Sequence, residues 1–447
     1  MQHTDISMVS LGCPKNLVDT ETMLGLLKQQ GYFIGADKAN ADVIIVNTCG
    51  FIGDAKQESI DTILEMASYK QPENGRCKLL IVTGCLAERY NSEILREMPE
   101  VDAVVGTGDF IHICEVIARA FSGQRPLMHG NCDSALPEAL PRIVTTAPHS
   151  AYLKISDGCD NHCTYCVIPS LRGKYRSRSM EDIVAEAESL CESGVREILL
   201  IAQDTTRYGV DIYGEYQLAE LMRRLCRIEN LHWLRLHYCY PEAVTDELID
   251  VLASEPKVCK YLDIPIQHAN DDVLKLMGRR SNKKQMAELF AKLRRVVPNI
   301  TLRTSVIVGF PTETDEQFNE LLAFVRDIHF DRLGAFAYSK EEGTPAAKLK
   351  GQITERIKKQ RRGRIMKAAQ EISLTINRAK TGSVIEVLCE GYDAENFLYY
   401  GRSMADSIDI DGLVYFGADY EVKPGEFVKV KILLAEEYDL TGQIVND

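Results

Sequence analysis

Over the first 120 residues apolar positions fall into short unbroken runs, separated by stretches with helical spacing. ISMVSLG (6–12), DVIIVNT (42–48), KLLIVTG (78–84) and VDAVVGT (101–107) have the length and β-branched content of buried strands. Between them, TETMLGLLKQQG is helical up to Gly31, and 54–70 and LAERYNSEILREM carry the same period. This alternation predicts an α/β domain over 1–121 built on a parallel, doubly wound sheet. Residues 122–150 contain Pro126, Pro137, Pro141 and Pro148 without apolar periodicity, and read as a linker. From 151 to 347 the rhythm resumes with YLKIS, REILLIA, HWLRLH, YLDIPI, LRTSVIVG and LGAFAY. Six βα units predict an open, partial TIM-like barrel, with its site at the C-terminal strand ends. In 381–447 the short β segments SVIEVLCEG, FLYYGRS, GLVYFG and FVKVKILLA predict a small antiparallel barrel of the OB type.

Charge separates two further regions. Residues 348–380 hold eleven Lys/Arg against two Asp/Glu, and Ile353, Ile357, Ile365 and Ile372 fall on one stripe. A basic amphipathic helical connector is expected there. Two roles fit it: a solvated helix packed on the barrel, or a contact with RNA phosphate. Of the formal charge of −13, residues 381–447 carry −10, from fourteen Asp/Glu and four Lys/Arg. The rest of the chain is close to neutral.

At 447 residues the chain exceeds one ordinary core, so two or three domains are expected. Its 45% hydrophobic and 26% charged residues exclude a disordered chain. No apolar run approaches the ~18 residues a membrane helix needs, and MQHTDISMVSLG lacks the basic and apolar regions of an export signal. A cytoplasmic location is therefore expected. In that reducing compartment fourteen cysteines point to metal ligation or catalysis before disulfides.

Two groups of cysteines stand out. Cys159, Cys163 and Cys166 lie within eight residues, in a loop after the first barrel strand. Three thiolates suit a soft metal and leave one corner of a cubane iron–sulfur cluster without a protein ligand. A closed zinc site is the alternative, with His162 as the nearby fourth ligand. Cys13, Cys49 and Cys85 are spaced 36 residues apart, each at or one residue beyond the end of a predicted strand. In a parallel sheet those ends share one edge, where ligands bind. A second three-thiol cluster is expected there, unless the three are ordinary buried cysteines near a sheet edge. Cys77, Cys114, Cys132, Cys191, Cys226, Cys239, Cys259 and Cys389 are scattered and read as small core residues.

CxxxCxxC at the start of a six-unit βα barrel resembles the radical S-adenosylmethionine (SAM) superfamily. The preceding three-cysteine domain and the terminal small barrel resemble the methylthiotransferases, whose tail is the TRAM domain. This likeness spans nearly the whole chain. SLGCPKNLVDTE (10–21) is most similar to the branch that modifies a ribosomal protein (RimO-type), whereas the transfer-RNA branch typically carries a Gln-rich version such as GCQMN.

The resemblance implies two 4Fe–4S clusters and SAM as cofactors. It implies that the cluster on Cys159, Cys163 and Cys166 binds SAM and cleaves it reductively to a 5′-deoxyadenosyl radical. The cluster on Cys13, Cys49 and Cys85 would hold a sulfur that a second SAM methylates before transfer. The implied product is a methylthio group on the β-carbon of an aspartate in the twelfth small-subunit ribosomal protein, met free or on the ribosome. A flavodoxin- or ferredoxin-like electron donor and a sulfur donor are implied partners, with no membrane. SAM contacts are expected from Tyr165 over adenine, from Gln203 and Asp204 after the second barrel strand, and from Arg303 and VIVGFPTE (306–313, with Val308 and Gly309) around the fifth. IAQD stands where the superfamily more often has Gly-Gly-Glu. Two readings stay open beside this one: a transfer-RNA adenosine methylthiotransferase, and a non-catalytic iron–sulfur electron carrier. GxxxxGK[ST] and GxSxG are absent, which argues against an NTPase and against the simplest hydrolases.

Overall fold

The computed structural model describes residues 4–445. Its first sheet comprises β1 (Asp5–Ser10), β2 (Phe33–Ile34), β3 (Val43–Thr48), β4 (Leu79–Gly84), β5 (Ala103–Val105) and β6 (Leu127–Met128), in the order β2-β1-β3-β4-β5-β6 with every pair parallel. Helices α1 (Pro14–Gln29), α2 (Gly53–Ala67), α3 (Cys85–Glu97) and α4 (Ile113–Phe121) connect the strands. Met23, Leu27, Val116 and Ile117 of α1 and α4 cover one face, while Ile63, Met66, Leu86 and Ile94 of α2 and α3 cover the other. Both faces being covered explains why β3 and β4 are apolar almost without alternation. β6 comes from the Pro-rich stretch expected to be a linker. Its Leu127 and Met128 pair with Val104 and Val105, so the sheet continues past residue 121.

The central domain comprises β7 (Ser150–Lys154), β8 (Ser156–Asp157), β9 (Arg176–Ser177), β10 (Glu197–Ile201), β11 (Trp233–Leu236), β12 (Val258–Asp263), β13 (Thr301–Val308) and β14 (Arg332–Ala337). Six of these form a parallel sheet, β14-β13-β12-β11-β10-β7, and β14 does not pair with β7. The barrel is therefore open, as its six units predict. On the outer face of the sheet, Ile198, Leu200, Leu234 and Leu236 pack under the helices. β8 and β9 pair antiparallel and clamp the base of the loop that carries Cys159, Cys163 and Cys166.

Five strands close the tail into a barrel: β15 (Val384–Asp393), β16 (Leu398–Ser403), β17 (Val414–Gly417), β18 (Phe427–Ala435) and β19 (Leu440–Ile444), ordered β15-β16-β17-β19-β18. Four pairs are antiparallel, but β17 and β19 run parallel because β19 returns from β18 into the remaining gap. Between β16 and β17 the chain leaves this small barrel and enters the open side of the central one. There Asp406 accepts from Arg332 at 2.6 Å, Ser407 meets His237 at 2.8 Å, and Asp411 accepts from the Tyr261 hydroxyl at 2.7 Å. Ile408 packs against Tyr152, Leu199 and Ile201, which α1 covers from above with Leu17 and Val18.

Glu197 lies fully buried at this junction, accepting from Arg402 of the tail at 2.6 Å and from Arg235 at 2.9 Å. Burial pushes its carboxyl up, but the two guanidiniums outweigh this and hold it at about 2 instead of 4.5. The stability this supplies is full above pH 4.5 and is lost as the pH falls toward 2, amounting to about 3 kcal/mol. Glu197→Gln is expected to be less stable at neutral pH and to lose less further stability between pH 4.5 and 2 than the wild type, measured by denaturant unfolding across that range.

The basic connector forms one helix, Glu355–Ala379. Ile365 and Ile372 are buried, and so are two of its cations. Lys358 donates to the Tyr338 carbonyl at 2.7 Å and Arg361 to Glu313 at 2.9 Å. This face packs on the barrel, while Arg356, Lys359, Arg362 and Lys367 remain exposed. No helix among the described residues is long and apolar enough to cross a membrane.

Candidate active site between two cysteine triads

Parallel pairing sets the first triad. Ser10 lies opposite Asn47 and Thr48 opposite Gly84, so Cys13, Cys49 and Cys85 leave three adjacent strands at one edge. The order of strands reverses between β1 and β3, which makes this edge the switch point where such sheets bind ligands. Close approach is enforced by glycine. A Cβ at Gly12, whose φ is +90°, would lie 2.9 Å from the Cys49 Cβ, and one at Gly50 would lie 2.7 Å from the Cys85 carbonyl oxygen. Asn16 ties the edge together, its Nδ2 donating to the Leu11 and Thr48 carbonyls at 3.1 and 2.9 Å. Cys13 caps the N-terminus of α1 and Cys85 opens α3, so two thiols sit at positive helix ends.

The second triad occupies the loop clamped by β8 and β9. Cys159 and Cys163 are buried and Cys166 is half-buried. Asn161 Nδ2 lies 3.5 Å from the Cys159 sulfur, the Ile168 amide 3.4 Å from that of Cys166, and the Tyr240 hydroxyl 3.9 Å from that of Cys163. Burial pushes the Cys85 and Cys166 thiols up to about 12. Such thiols ionise only against a strong positive charge, as an iron cluster provides. Among the described residues no three His, Cys, Asp or Glu side chains converge to hold a single ion. Three thiols are a donor set that suits a soft iron–sulfur cluster, with one iron left without a protein ligand.

Arg172 spans the space between the triads. It is fully buried, donating to Asp19 at 2.6 Å and Asp157 at 3.1 Å, to Asn16, and toward the Cys85 sulfur at 3.7 Å. Lys154 binds the same two carboxylates. Burial alone would raise the Asp157 carboxyl, but Lys154 and Arg172 hold it well below the usual range. Thus α1 of the first domain is locked to the cysteine loop of the second by a desolvated network with every member hydrogen-bonded. A cavity of about 420 Å³ opens beside Cys163 and Cys166, walled by Arg89 of α3 and by Glu342, Thr344 and Pro345 after β14.

The expected SAM contacts divide into two groups. Asp204 accepts from Asn161, the neighbour of Cys159, at 2.8 Å, and burial raises its carboxyl. Gln203 donates to Asp157 at 2.9 Å, and its Oε1 is buried without a donor. An amino group brought to that acceptor would satisfy it, which is a fit for SAM. Tyr165 packs against Val273, Met277, Phe310 and Tyr338, forming an apolar wall beside its triad. The other three are occupied elsewhere. Arg303 donates to Asp263 at 2.8 Å and lies 3.6 Å from Asp411 of the tail. Val308 is buried, the Gly309 amide is bound by Glu313 at 2.6 Å, and Lys358 covers Gly309.

Three family models match the chain: an uncharacterized protein family, UPF0004, over residues 5–106; the radical SAM superfamily over 153–325; and the TRAM domain over 381–445. A protein of Pelotomaculum thermopropionicum named ribosomal protein uS12 methylthiotransferase RimO is 52% identical over 441 residues, covering 98% of this chain and 99% of its own. Its namesake from Geobacter sulfurreducens is 52% identical over 443 residues, covering 99% and 98%. The chain belongs to the RimO family. The matches to these two RimO proteins run over nearly the full length of both chains. Among solved structures, the radical SAM methyltransferase TsrM of Kitasatospora setae aligns with a TM-score of 0.56 at 15% identity, covering 77% of this chain and 74% of its own. The cobalamin-dependent radical SAM enzyme OxsB aligns at 0.53 and 14%, covering 82% and 56%. At such identities the likeness concerns the fold alone.

Proposed function

We propose that this enzyme adds a methylthio group to the β-carbon of an aspartate in ribosomal protein uS12. One 4Fe–4S cluster is assigned to Cys159, Cys163 and Cys166, and a second to Cys13, Cys49 and Cys85. The observation behind this is the placing of two three-thiol edges on either side of Arg172, close enough that one side chain reaches from Asp157 to Cys85. An electron carrier gains nothing from two clusters that each lack a protein ligand. Loaded with both clusters and SAM, the site is supplied with one-electron chemistry able to break an unactivated C–H bond and with the sulfur that replaces the hydrogen.

The chain's own residues bind, orient and exclude water. Gln203 offers its free Oε1 to the SAM amino group, Asp204 fixes Asn161 beside Cys159, and Tyr165 walls the adenine side. Arg303, Val308 and Gly309 act from behind, holding the strand ends against the tail segment and the basic helix. Leu17 and Val18 of α1 close the barrel mouth over Tyr152 and Leu199. The electron comes from a flavodoxin- or ferredoxin-like protein, and the consumed sulfur is restored by a sulfur donor. Mass spectrometry of uS12 after anaerobic reaction with SAM, sulfide and reductant is expected to show one methylthio group on an aspartate. Product on transfer-RNA adenosine and none on uS12 would overturn this assignment.

The tail offers the docking charge. Glu390, Asp406 and Asp411 are consumed by Arg402, Arg332 and Arg303, but Glu395, Asp419 and Glu421 are exposed. Their field attracts a basic ribosomal protein and repels nucleic acid, over a Debye length of roughly 8–10 Å. Reversing these three to Lys is expected to weaken uS12 binding several-fold and to flatten its salt dependence, as binding titrations at 50 and 300 mM salt would show, roughly spanning the screening range.

A further inference from the structure

Among the described residues, the network between the triads leaves the buried cation Lys15 without an ion-pair partner of its own. Lys15 follows Pro14 in the first turn of α1 and is 6% exposed. Lys154 and Arg172 share Asp19 and Asp157, and Arg303 holds Asp263. No hydrogen bond or ion pair among the described residues reaches the Lys15 Nζ. It rests instead on the ring of Tyr238, 2.9 Å from the centroid. Tyr238 sits just beyond β11 with a left-handed φ of +60°, a conformation a tyrosine keeps only where its surroundings impose it. Two residues on, Tyr240 reaches the Cys163 sulfur at 3.9 Å, while Cys13 lies two residues before Lys15. The ammonium therefore stands between the two triads, above the mouth of the central barrel.

We propose that Lys15 is the subsite for the substrate's side-chain carboxylate: its ammonium pairs with the aspartate and holds the β-carbon between the triads. This rests on the uS12 reading above. The desolvated ammonium rests on an aromatic ring with no hydrogen-bonded anion of its own, and Asp157 and Asp263, the carboxylates whose charge it feels, are already engaged by other cations. A compact charge with three donors on a flexible stem suits a small carboxylate that enters and leaves. An asparagine in the same place would bring no charge, leaving Lys15 uncompensated, so the subsite also selects for acid over amide.

The test is binding of uS12 to the cluster-loaded, full-length enzyme with SAM and without reductant, so that no turnover occurs. Wild-type enzyme is expected to bind uS12 more tightly than its target Asp→Asn variant by on the order of tenfold or more. Lys15→Met is expected to bind both forms equally, at the weaker level, with wild-type iron content. Lys15→Arg keeps the charge and is expected to keep part of the discrimination. An equal Asp→Asn penalty in wild type and Lys15→Met would overturn this inference alone, as would loss of iron in Lys15→Met, which would assign the lysine to the cluster. Wild-type enzyme indifferent to uS12 would overturn the substrate reading and this inference together.

Discussion

Cys163→Ala is expected to retain about half the iron of the wild type, to cleave no SAM and to form no methylthio product. Two triads of equal size divide the iron equally, so removal of one ligand from either should halve it. Cys163 is the buried middle thiol of its loop, beside the Tyr240 hydroxyl and held from behind by the Thr164 amide bond to the Met277 carbonyl at 3.0 Å. No fourth cysteine lies in that loop to replace it. Cys49→Ala is expected to lose the other half of the iron and the transfer of sulfur. Iron analysis and product mass spectrometry on the two variants decide the matter. Full iron together with methylthio transfer in Cys49→Ala would dismiss the second cluster.

Arg172→Met is expected to destabilise the enzyme by about 3–5 kcal/mol and to abolish transfer. Removing the guanidinium leaves Asp19 and Asp157 sharing Lys154 alone, and leaves the Asn16 Oδ1 with the Cys85 thiol as its remaining neighbour. Lysine is a poor replacement, because a single ammonium cannot reach the four acceptors that the planar guanidinium spans. Chemical denaturation of Arg172→Met and Arg172→Lys should show both well below the wild type. Equal stability of Arg172→Met and wild type would mean that the other contacts between the two domains, among them Lys56 and Arg89 with Glu341, hold them without this network.

Of the first two domains, β1, β3, β4, β5 and the six strands of the central sheet were legible because each is an apolar run of the right length beside a helix. Cysteine spacing then carried the triads, since parallel strand ends must share an edge. β19 escaped because LTGQI is short, polar and interrupted by Gly442, which is needed where the strand passes close to Val430 and Lys431. β6 escaped because two residues, Leu127 and Met128, carry no periodicity. Arg303 read as available at a strand end because its partner Asp411 lies over a hundred residues away in a segment with no chemical signature. Lys15, Asn16 and Arg172 were missed for the same reason. Lys15 and Asn16 directly follow the Cys13-Pro14 pair, and that adjacency was the available signal. Arg172 stands six residues past Cys166 in a helix of five residues, and only tertiary structure shows what it touches.

The tail segment that enters the open barrel sets a limit on when this protein can become itself. The inner face of the central sheet is lined by Glu197, Arg235, His237, Tyr261 and Arg332, groups that a solvent-free interior accepts only when paired. Their partners Arg402, Ser407, Asp411 and Asp406 are synthesised after every strand of that sheet, Arg402 being 205 residues after Glu197. A nascent chain emerging from the ribosome can thus assemble its first sheet early, while the central domain waits, hydrated on the inside, until residues 402–411 have been made. The covering of the barrel mouth belongs to the same late stage, because Ile408 of the tail segment joins Leu17 and Val18 of α1 in one cluster with Tyr152, Leu199 and Ile201.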